Sequence, residues 1–482
     1  MKRIVRQLAA FLLACQLFVV TAYGKPDWPN DVGILAEAGI VMDVDSGAVL
    51  YGQNIHVASP PASITKILTA LVVLENSQLD ETVEFSETAV SSVEADSGNK
   101  LGSVAGDRLS VEDCLYGMLL ESSNQAANAL AEHVAGSISA FVDLMNEKAK
   151  ELGCEESHFD NPSGLNGDTQ YVTAYDMALI SRAAFQNETL LEISSTLSRK
   201  LGPTTNYPGG ITVENEHRLL NPDDEFYYSS AKAGKTGYLQ AAGNTLVTYG
   251  EQDGRKLVSV ILRGQPRQYF TDGRNLLEFG FREFKNVAPA ETESRYVTGD
   301  EILNLERGDF ACSDLMIDPA AAVTLPLDAS LDDADVTVGD LPEGSPERAV
   351  ALMTYTYNDR VVGTAYLMAK DGVELPGSTD GEASAPLEGE TPAPETEANA
   401  ADSGKAESSV SAGTIALTAA AVLAAALVAA AAAWHFYQRK KEAEKLARRR
   451  AERRRRLEES GEWEEFEKIR AQQRERRKET EK

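Results

Sequence analysis

Ser63 and Lys66 have the residue types and the spacing that nucleophilic catalysis requires. They lie three residues apart, so on a helix they would share one face and could touch. A serine hydroxyl becomes a good nucleophile when a base takes its proton, and a lysine can be that base if its amine is neutral. Burial or a second nearby cation would keep it neutral. The pair therefore predicts acyl transfer through a serine ester, although a capping serine beside an exposed lysine gives the same pattern.

A second polar motif, with Ser122 and Asn124, follows an apolar run at positions 115–120. Ser122 could relay a proton between Lys66 and a leaving group. Asn124 could hold Lys66 and bind a substrate carbonyl. A serine and an asparagine with this spacing are common in ordinary loops, so the value of the motif lies in its place after the first one.

The third motif is Lys235-Thr236-Gly237. Lys235 would supply the second cation that depresses the pKa of Lys66, and it would attract the anionic end of a substrate. The hydroxyl of Thr236 can bind a carboxylate. Gly237 would let a substrate backbone lie close to an edge strand.

The three motifs occur in the order S-x-x-K, S-x-N and K-T-G, after a secretion signal. Penicillin-binding proteins and class A β-lactamases carry a closely related trio. The chain resembles the D-alanyl-D-alanine carboxypeptidase family of low-molecular-mass penicillin-binding proteins, in particular those with a β-rich second domain and a C-terminal membrane anchor. Three more stretches are similar to motifs of that family: FDNPSGL at 159–165, TAYDMA at 173–178 and KTGYLQAAGNTLV at 235–247. The likeness covers about residues 33–281.

That resemblance implies an α/β (α+β) transpeptidase fold of the β-lactamase and penicillin-binding-protein type, followed by a small all-β domain and one membrane helix. It implies removal of the terminal D-alanine from peptidoglycan stem pentapeptides through an acyl-enzyme, with β-lactams acylating the same serine. It assigns roles to eight residues: Ser63 (nucleophile), Lys66 (general base), Ser122 (proton relay), Asn124 (catalytic), Lys235, Thr236 and Gly237 (substrate binding), and Tyr238, whose backbone N–H would form the oxyanion hole with that of Ser63.

Two residues depart from the family pattern. Gln125 stands where the family commonly has an acidic residue after S-x-N, and His217 stands where relatives often carry a second asparagine. Neither belongs to the three motifs, but both leave the substrate preference open.

Other functions also stay open at this point. A peptidoglycan DD-endopeptidase would use the same residues. A class A β-lactamase needs a deacylating glutamate in E-x-x-L-N, and the nearest stretch, which begins at Glu216, is one residue too long. A non-catalytic cell-wall-binding protein is disfavoured because decayed enzymes tend to lose the lysines. Gly234 lacks the earlier glycine of a P-loop and no H-E-x-x-H occurs, so the sequence predicts neither cofactor nor metal.

Apolar periodicity predicts the elements that must position these motifs. The predicted elements are a hairpin at 39–51 with its turn at 45–47, helices at 63–75 and 111–134, and strands at 243–249, 256–263, 353–357 and 361–367. We assign residues 25–286 to the carboxypeptidase domain. The later short β runs, separated by turn residues, predict a β-rich domain at 287–370.

Both ends of the chain carry membrane signals. Residues 1–24 predict a signal peptide, with basic residues, an apolar run and a small-x-small cleavage site before Lys25. Residues 411–437 lack Asp, Glu, Lys and Arg and predict a transmembrane helix, since roughly 24 residues span about 36 Å. Aromatic residues and then Arg439-Lys440-Lys441 close that segment, a pattern that places the C-terminus in the cytoplasm.

The remaining segments complete a membrane-tethered enzyme. Residues 371–410 predict a disordered linker because few of them could build a core, and residues 438–482 predict a basic cytoplasmic tail that could contact anionic lipid. A net charge of -29 over 482 residues argues against nucleic-acid binding. The sequence therefore predicts a protein secreted across the cytoplasmic membrane and anchored to its outer face.

The cysteines predict no disulfide framework. Cleavage after Gly24 would leave Cys114, Cys154 and Cys312, an odd number at wide spacing. We expect them to be buried as small apolar side chains.

Overall fold

A computed structural model gives the structure of residues 25–93, 97–165, 167, 169–342 and 344–375. The predicted signal peptide, membrane helix and basic tail lie outside these described residues, as does the predicted linker beyond residue 375. No helix within the described residues is long and apolar enough to cross a membrane.

Helices and strands alternate through the first two thirds of this part of the chain, and strands dominate the rest. Its helices are α1 (Lys66–Asn76), α2 (Glu87–Ser91), α3 (Val111–Leu119), α4 (Asn124–Ala135), α5 (Ile138–Glu151), α6 (Ala174–Ala184), α7 (Glu188–Ser195), α8 (Gln268–Glu283) and α9 (Pro289–Thr292). Its first strands are β1 (Ala38–Asp43), β2 (Val49–Gln53), β3 (Thr82–Glu84), β4 (Arg108–Ser110), β5 (Ser198–Lys200), β6 (Thr212–Glu214), β7 (Ala231–Leu239), β8 (Gly243–Gln252) and β9 (Arg255–Gly264). The later strands are β10 (Phe284–Val287), β11 (Ile302–Leu305), β12 (Gly308–Ala311), β13 (Leu315–Ile317), β14 (Val323–Pro326), β15 (Asp335–Gly339), β16 (Ala349–Tyr357) and β17 (Arg360–Ala369).

A five-stranded antiparallel sheet in the order β2-β1-β9-β8-β7 forms the centre of the first part. The predicted hairpin is confirmed as β1 and β2, and the two predicted strands at 243–249 and 256–263 are confirmed within β8 and β9. The strand β7 is an edge strand, so one side of its backbone is available to a ligand.

Apolar side chains on both faces of this sheet bury it between two helical layers. Along β1, Ile40 and Met42 pack into the core that contains α1, whereas Val41 packs into the core that contains Leu276 and Phe279 of α8. Successive side chains of a strand point to opposite faces, so this alternation follows from the strand geometry. The sheet is therefore a rigid platform with β7 at its rim.

The single helix predicted at 111–134 is wrong, because the structure divides it into α3 and α4. Ser122, between them, has a φ of 62°, which is a left-handed conformation that ends a helix. The Ser123 hydroxyl then accepts a hydrogen bond from the Ala126 N–H at 3.2 Å and caps α4. The break places the second polar motif in a turn and not on a continuous helix.

The strands after residue 284 build a separate core. A four-stranded sheet in the order β13-β17-β16-β15 carries the buried side chains of Met353, Tyr355 and Tyr357, and the predicted strands at 353–357 and 361–367 are confirmed in it. Trp28 packs its ring against those of Phe284 and Tyr357, at centroid distances of 4.9 and 6.1 Å. The start of the described chain therefore contacts this β-rich part. Cys114, Cys154 and Cys312 are free cysteines, and their predicted burial is confirmed.

Candidate active site

Ser63 and Lys66 meet at the junction of a short turn and a helix. Ser63 lies in the 3-10 turn Ala62–Thr65, and Lys66 is the first residue of α1. Side chains three residues apart eclipse in a 3-10 turn, so the two project together. The Lys66 Nζ lies 3.0 Å from the Ser63 Oγ, and Lys66 is fully buried. The predicted contact between the two residues is present.

Two further acceptors surround the Lys66 amine. Its Nζ donates to the Asn124 Oδ1 at 2.8 Å and to the backbone carbonyl of Ser163. As an ammonium group, Lys66 has three donors for three acceptors. As a neutral amine it can still donate to Asn124 and Ser163, and its lone pair is then directed at the Ser63 hydroxyl. The carbonyl of Ser163, in the stretch 159–165, is a contact that side-chain motifs could not reveal.

The surroundings of Lys66 favour its neutral form. Burial is the largest cause of a pKa well below the usual 10.5, and the charge of Lys235 lowers that pKa further. Glu216 opposes both effects. The predicted action of Lys235 on Lys66 is therefore present, although removal from water contributes more.

The two polar residues of the second motif differ in their relation to Lys66. It lies in the turn between α3 and α4, whereas Asn124 begins α4 and reaches Lys66. Among the described residues we find no hydrogen bond between the Ser122 side chain and Lys66 or Ser63. The proton-relay role assigned to Ser122 stays a prediction.

Lys235, Thr236 and Gly237 lie on the edge strand β7, beside the turn that carries Ser63. Lys235 is buried, and its pKa is lowered to about 8, mainly by that burial. A Cβ at Gly237 would lie 2.8 Å from the Ser63 backbone nitrogen, which is too close for any larger residue. Gly237 therefore permits the close approach of β7 to the nucleophile itself, in addition to the approach of substrate that the sequence predicted. Tyr238, the next residue, is 66% exposed.

Two other contacts fix the nucleophile turn. The Thr245 hydroxyl on β8 donates to the Pro61 carbonyl at 2.9 Å. Gly164 has a φ of +82°, and a Cβ there would lie 1.9 Å from the Ala62 carbonyl oxygen. The turn is thus held from the sheet on one side and from the 159–165 stretch on the other.

Glu216 is a charged residue at this site that the sequence suggested only as a misplaced β-lactamase glutamate. Its Oε2 lies 3.8 Å from the Lys235 Nζ, and its Oε1 accepts a hydrogen bond from Lys100. No spacing rule connects positions 100, 216 and 235, so only the fold could bring these charges together.

Gln125, the first departure from the family pattern, donates a hydrogen bond from its side-chain amide to the Gly98 carbonyl at 3.2 Å.

His217, the second departure from the family pattern, is buried, and its ring contacts strand β8. Its Nε2 lies 3.1 Å from the Val247 carbonyl and 3.0 Å from the Thr248 Oγ1. A carbonyl can only accept, so Nε2 carries the proton of a neutral ring. A Cβ at Gly234 would lie 2.7 Å from that ring, so glycine at position 234 leaves room for His217. Burial lowers the pKa of His217 from 6.5 to about 4.

We expect this histidine to make the protein acid-sensitive. The folded state keeps His217 neutral down to about pH 4, whereas the unfolded chain protonates it near pH 6.5. Its contribution is therefore intact above pH 6.5 and is lost as the pH falls towards 4, at a cost of about 3 kcal/mol in the free energy of unfolding. Urea unfolding from pH 7 to pH 4 should show a shallower decline for His217→Gln than for the unchanged chain. Equal slopes would contradict this origin of the acid sensitivity.

A serine in contact with a buried lysine, beside a sheet edge that carries a lysine, a threonine and a glycine, defines a class, the serine hydrolases that work through an acyl-enzyme. The family model of D-alanyl-D-alanine carboxypeptidases matches residues 25–265. The chain belongs to this family, and the predicted serine-type hydrolase is confirmed.

Individual relatives agree with this assignment. The chain is 36% identical over 264 residues to a D-alanyl-D-alanine carboxypeptidase of Mycobacterium tuberculosis, a match of 53% of this chain and 84% of the relative. It is 32% identical over 331 residues to one from Escherichia coli, a match of 67% of this chain and 79% of the relative. The residues that the family model matches, 25–265, contain all three motifs.

Solved structures show the same fold. A D-alanyl-D-alanine carboxypeptidase from Francisella tularensis superimposes with a TM-score of 0.52 at 25% identity, over 74% of this chain and 99% of that one. Penicillin-binding protein 6B from Escherichia coli gives 0.53 at 24% identity, over 72% and 99%. The predicted transpeptidase fold of the penicillin-binding-protein type is thereby confirmed.

Proposed function

We propose that this chain removes the terminal D-alanine from peptidoglycan stem pentapeptides through an acyl-enzyme on Ser63. One observation carries the assignment of the nucleophile: the Ser63 Oγ lies 3.0 Å from the amine of a fully buried lysine whose pKa is lowered. Membership of the D-alanyl-D-alanine carboxypeptidase family supplies the class of substrate.

Acylation begins when neutral Lys66 takes the proton of the Ser63 hydroxyl and the Oγ bonds to the carbonyl carbon of the penultimate D-alanine. The backbone N–H groups of Ser63 and Tyr238 stabilise the negative charge on the carbonyl oxygen. The peptide C–N bond then breaks. The proton passes from Lys66, with Ser122 as its relay, to the leaving amine, and free D-alanine departs.

Deacylation repeats this chemistry with water. Neutral Lys66 takes a proton from the water molecule, whose oxygen adds to the ester carbonyl. The bond from that carbon to the Ser63 Oγ breaks, and the Oγ regains the proton. A β-lactam acylates Ser63 in the same way, but its leaving nitrogen stays tethered after ring opening, which slows hydrolysis.

The K-T-G motif orients the substrate for this attack. Charged Lys235 and the Thr236 hydroxyl hold the terminal carboxylate of the D-alanyl-D-alanine unit. Because the pKa of Lys235 is about 8, it is charged at neutral pH and loses that charge in moderately alkaline solution. The carboxylate requirement favours cleavage at a free C-terminus.

The assay that tests the reaction measures D-alanine release by the full chain from a synthetic stem pentapeptide. A cross-linked muropeptide dimer without a terminal D-alanyl-D-alanine serves as the second substrate. Release of D-alanine from the pentapeptide with an intact dimer supports the carboxypeptidase. Cleavage of the dimer alone would replace it with the endopeptidase alternative, and cleavage of neither would refute both.

We propose that residues 1–24 direct export and that residues 411–437 anchor the enzyme to the outer face of the cytoplasmic membrane. The charge-free segment, its aromatic end and the basic tail at 438–482 support this arrangement, with the tail against anionic lipid. In this arrangement, the linker at 371–410 connects the domains at 25–286 and 287–370 to the membrane helix.

Cell fractionation tests the anchor. The full chain should remain with membranes after an alkaline wash, and a chain ending at residue 410 should be released outside the cell. A truncated chain that stays with washed membranes would refute the assignment of residues 411–437.

A further inference from the structure

We propose that Glu216 is a positioning residue of this active site: its carboxylate keeps Lys235 charged and in place, and Lys100 limits how strongly it does so. The inference rests on the proposed function, in which Lys235 binds the substrate carboxylate and Lys66 is the base.

The geometry places Glu216 between two lysines. Its Oε2 lies 3.8 Å from the Nζ of Lys235, whose side chain is fully buried, and its Oε1 accepts from Lys100. The carboxylate and the Lys100 amine both reach the surface, with side-chain exposures of 36% and 40%. The result is a chain of charges from solvent to the buried wall of the site.

The backbone around Glu216 is fixed on two sides. Its N–H donates to the Leu120 carbonyl at the end of α3, just before the turn that contains Ser122. The next residue, His217, is bonded through its ring to β8. The preceding Asn215 donates from its side chain to the carbonyls of Ser194 and Thr196. A backbone fixed in this way limits the positions that the Glu216 carboxylate can take beside Lys235.

The charges that act on Lys235 come from several elements. Burial lowers its pKa most, Glu216 raises it, Lys100 lowers it, and Glu121, in the turn after α3, raises it. For Lys66, burial and Lys235 lower the pKa, Glu216 raises it, and Lys100 lowers it. The neighbouring His217 is neutral at these pH values. Glu216 and Lys100 therefore act on both functional lysines with opposite signs.

Activity requires a neutral Lys66 and a charged Lys235. A change in the pKa of either lysine should therefore appear in the pH profile of kcat/KM. Activity rises on the acid side as Lys66 loses its proton and falls on the alkaline side as Lys235 loses its own. Removal of the Glu216 charge lowers the pKa of both lysines. Both limbs of the profile should then move to lower pH, and removal of the Lys100 charge should move both to higher pH.

The experiment records kcat/KM for D-alanine release against pH for the full chain and for Glu216→Gln, which keeps the side-chain size. We expect both limbs to move down by about one pH unit, with roughly tenfold lower activity on the alkaline side. Lys100→Met should move both limbs up. Glu216→Asp keeps the negative charge and should therefore retain much of the original pH profile of kcat/KM.

Glu225→Gln is the matched control, since it removes one carboxylate from the same segment where that carboxylate pairs with Arg218 and Arg267. It should leave both limbs in place. A lower rate for Glu216→Gln with unmoved limbs would reduce Glu216 to a structural role and overturn the proposal. An equal shift for Glu225→Gln would also overturn it.

The test stays separate from that of the proposed function. If the unchanged chain releases no D-alanine, the carboxypeptidase assignment fails. The pH dependence of Ser63 acylation by a fluorescent penicillin then still reports on Lys66 and Lys235. Acylation limbs that do not move in Glu216→Gln would overturn the role of Glu216 on their own.

Discussion

Replacement of Ser63 with alanine is expected to abolish covalent labelling by a fluorescent penicillin and to lower D-alanine release by about 10⁴-fold or more. Within the described part of the chain, the Lys66 amine contacts one hydroxyl, the Ser63 Oγ, together with an amide oxygen and a carbonyl oxygen. Alanine removes the atom that would carry the acyl group and leaves the remaining contacts intact. The measurement is a labelled band on a denaturing gel, which only a covalent adduct survives.

Ser195→Ala is the control for this substitution. Ser195 is an exposed serine at the end of α7, and its hydroxyl donates to the Glu192 carbonyl, so its loss should leave labelling unchanged. If Ser63→Ala still formed the labelled band, another nucleophile would carry the acyl group. The entire assignment built on Ser63 would then be wrong.

Replacement of Lys66 is expected to have the second largest effect, a decrease of roughly 10³-fold in the rate of acylation by penicillin. Lys66→Met removes the base and retains a long apolar stem in the buried site. Lys66→Arg retains a cation that never gives up its proton near neutral pH. Both variants should lose acylation, because the reaction needs a base and not merely a charge.

The comparison between these variants separates the two roles that Lys66 could have. If Lys66→Arg acylated at close to the original rate, Lys66 would act as a fixed cation and the general-base mechanism would be refuted. Lys232→Met, an exposed substitution on the same strand as the K-T-G motif, should acylate normally. Urea unfolding of each variant shows whether a lost rate reflects lost folding, since the Asn124 and Ser163 oxygens lose their donor.

Local sequence was sufficient for the features that depend on nearby residues. The spacing of Ser63 and Lys66 places them on one side of a helical turn, and the apolar runs on either side of the turn at 45–47 predict a hairpin of two short strands. The order of three motifs identified the family, which the family model and the relatives confirm. The helix predicted at 111–134 failed because apolar periodicity does not register one left-handed residue, Ser122.

The sequence by itself determined the chemistry of this protein: a serine, a base and a cationic motif, in an order that one family uses. The tertiary structure decided how that chemistry is controlled. It brought Gly237 against the Ser63 nitrogen, the Ser163 carbonyl onto Lys66, and Glu216 between Lys100 and Lys235. Except for the contact of Glu216 with Lys235, these contacts join residues about 100 or more positions apart or use backbone atoms that every residue has. No pattern in one sequence records such contacts, because they arise only when the sheet and the helices pack.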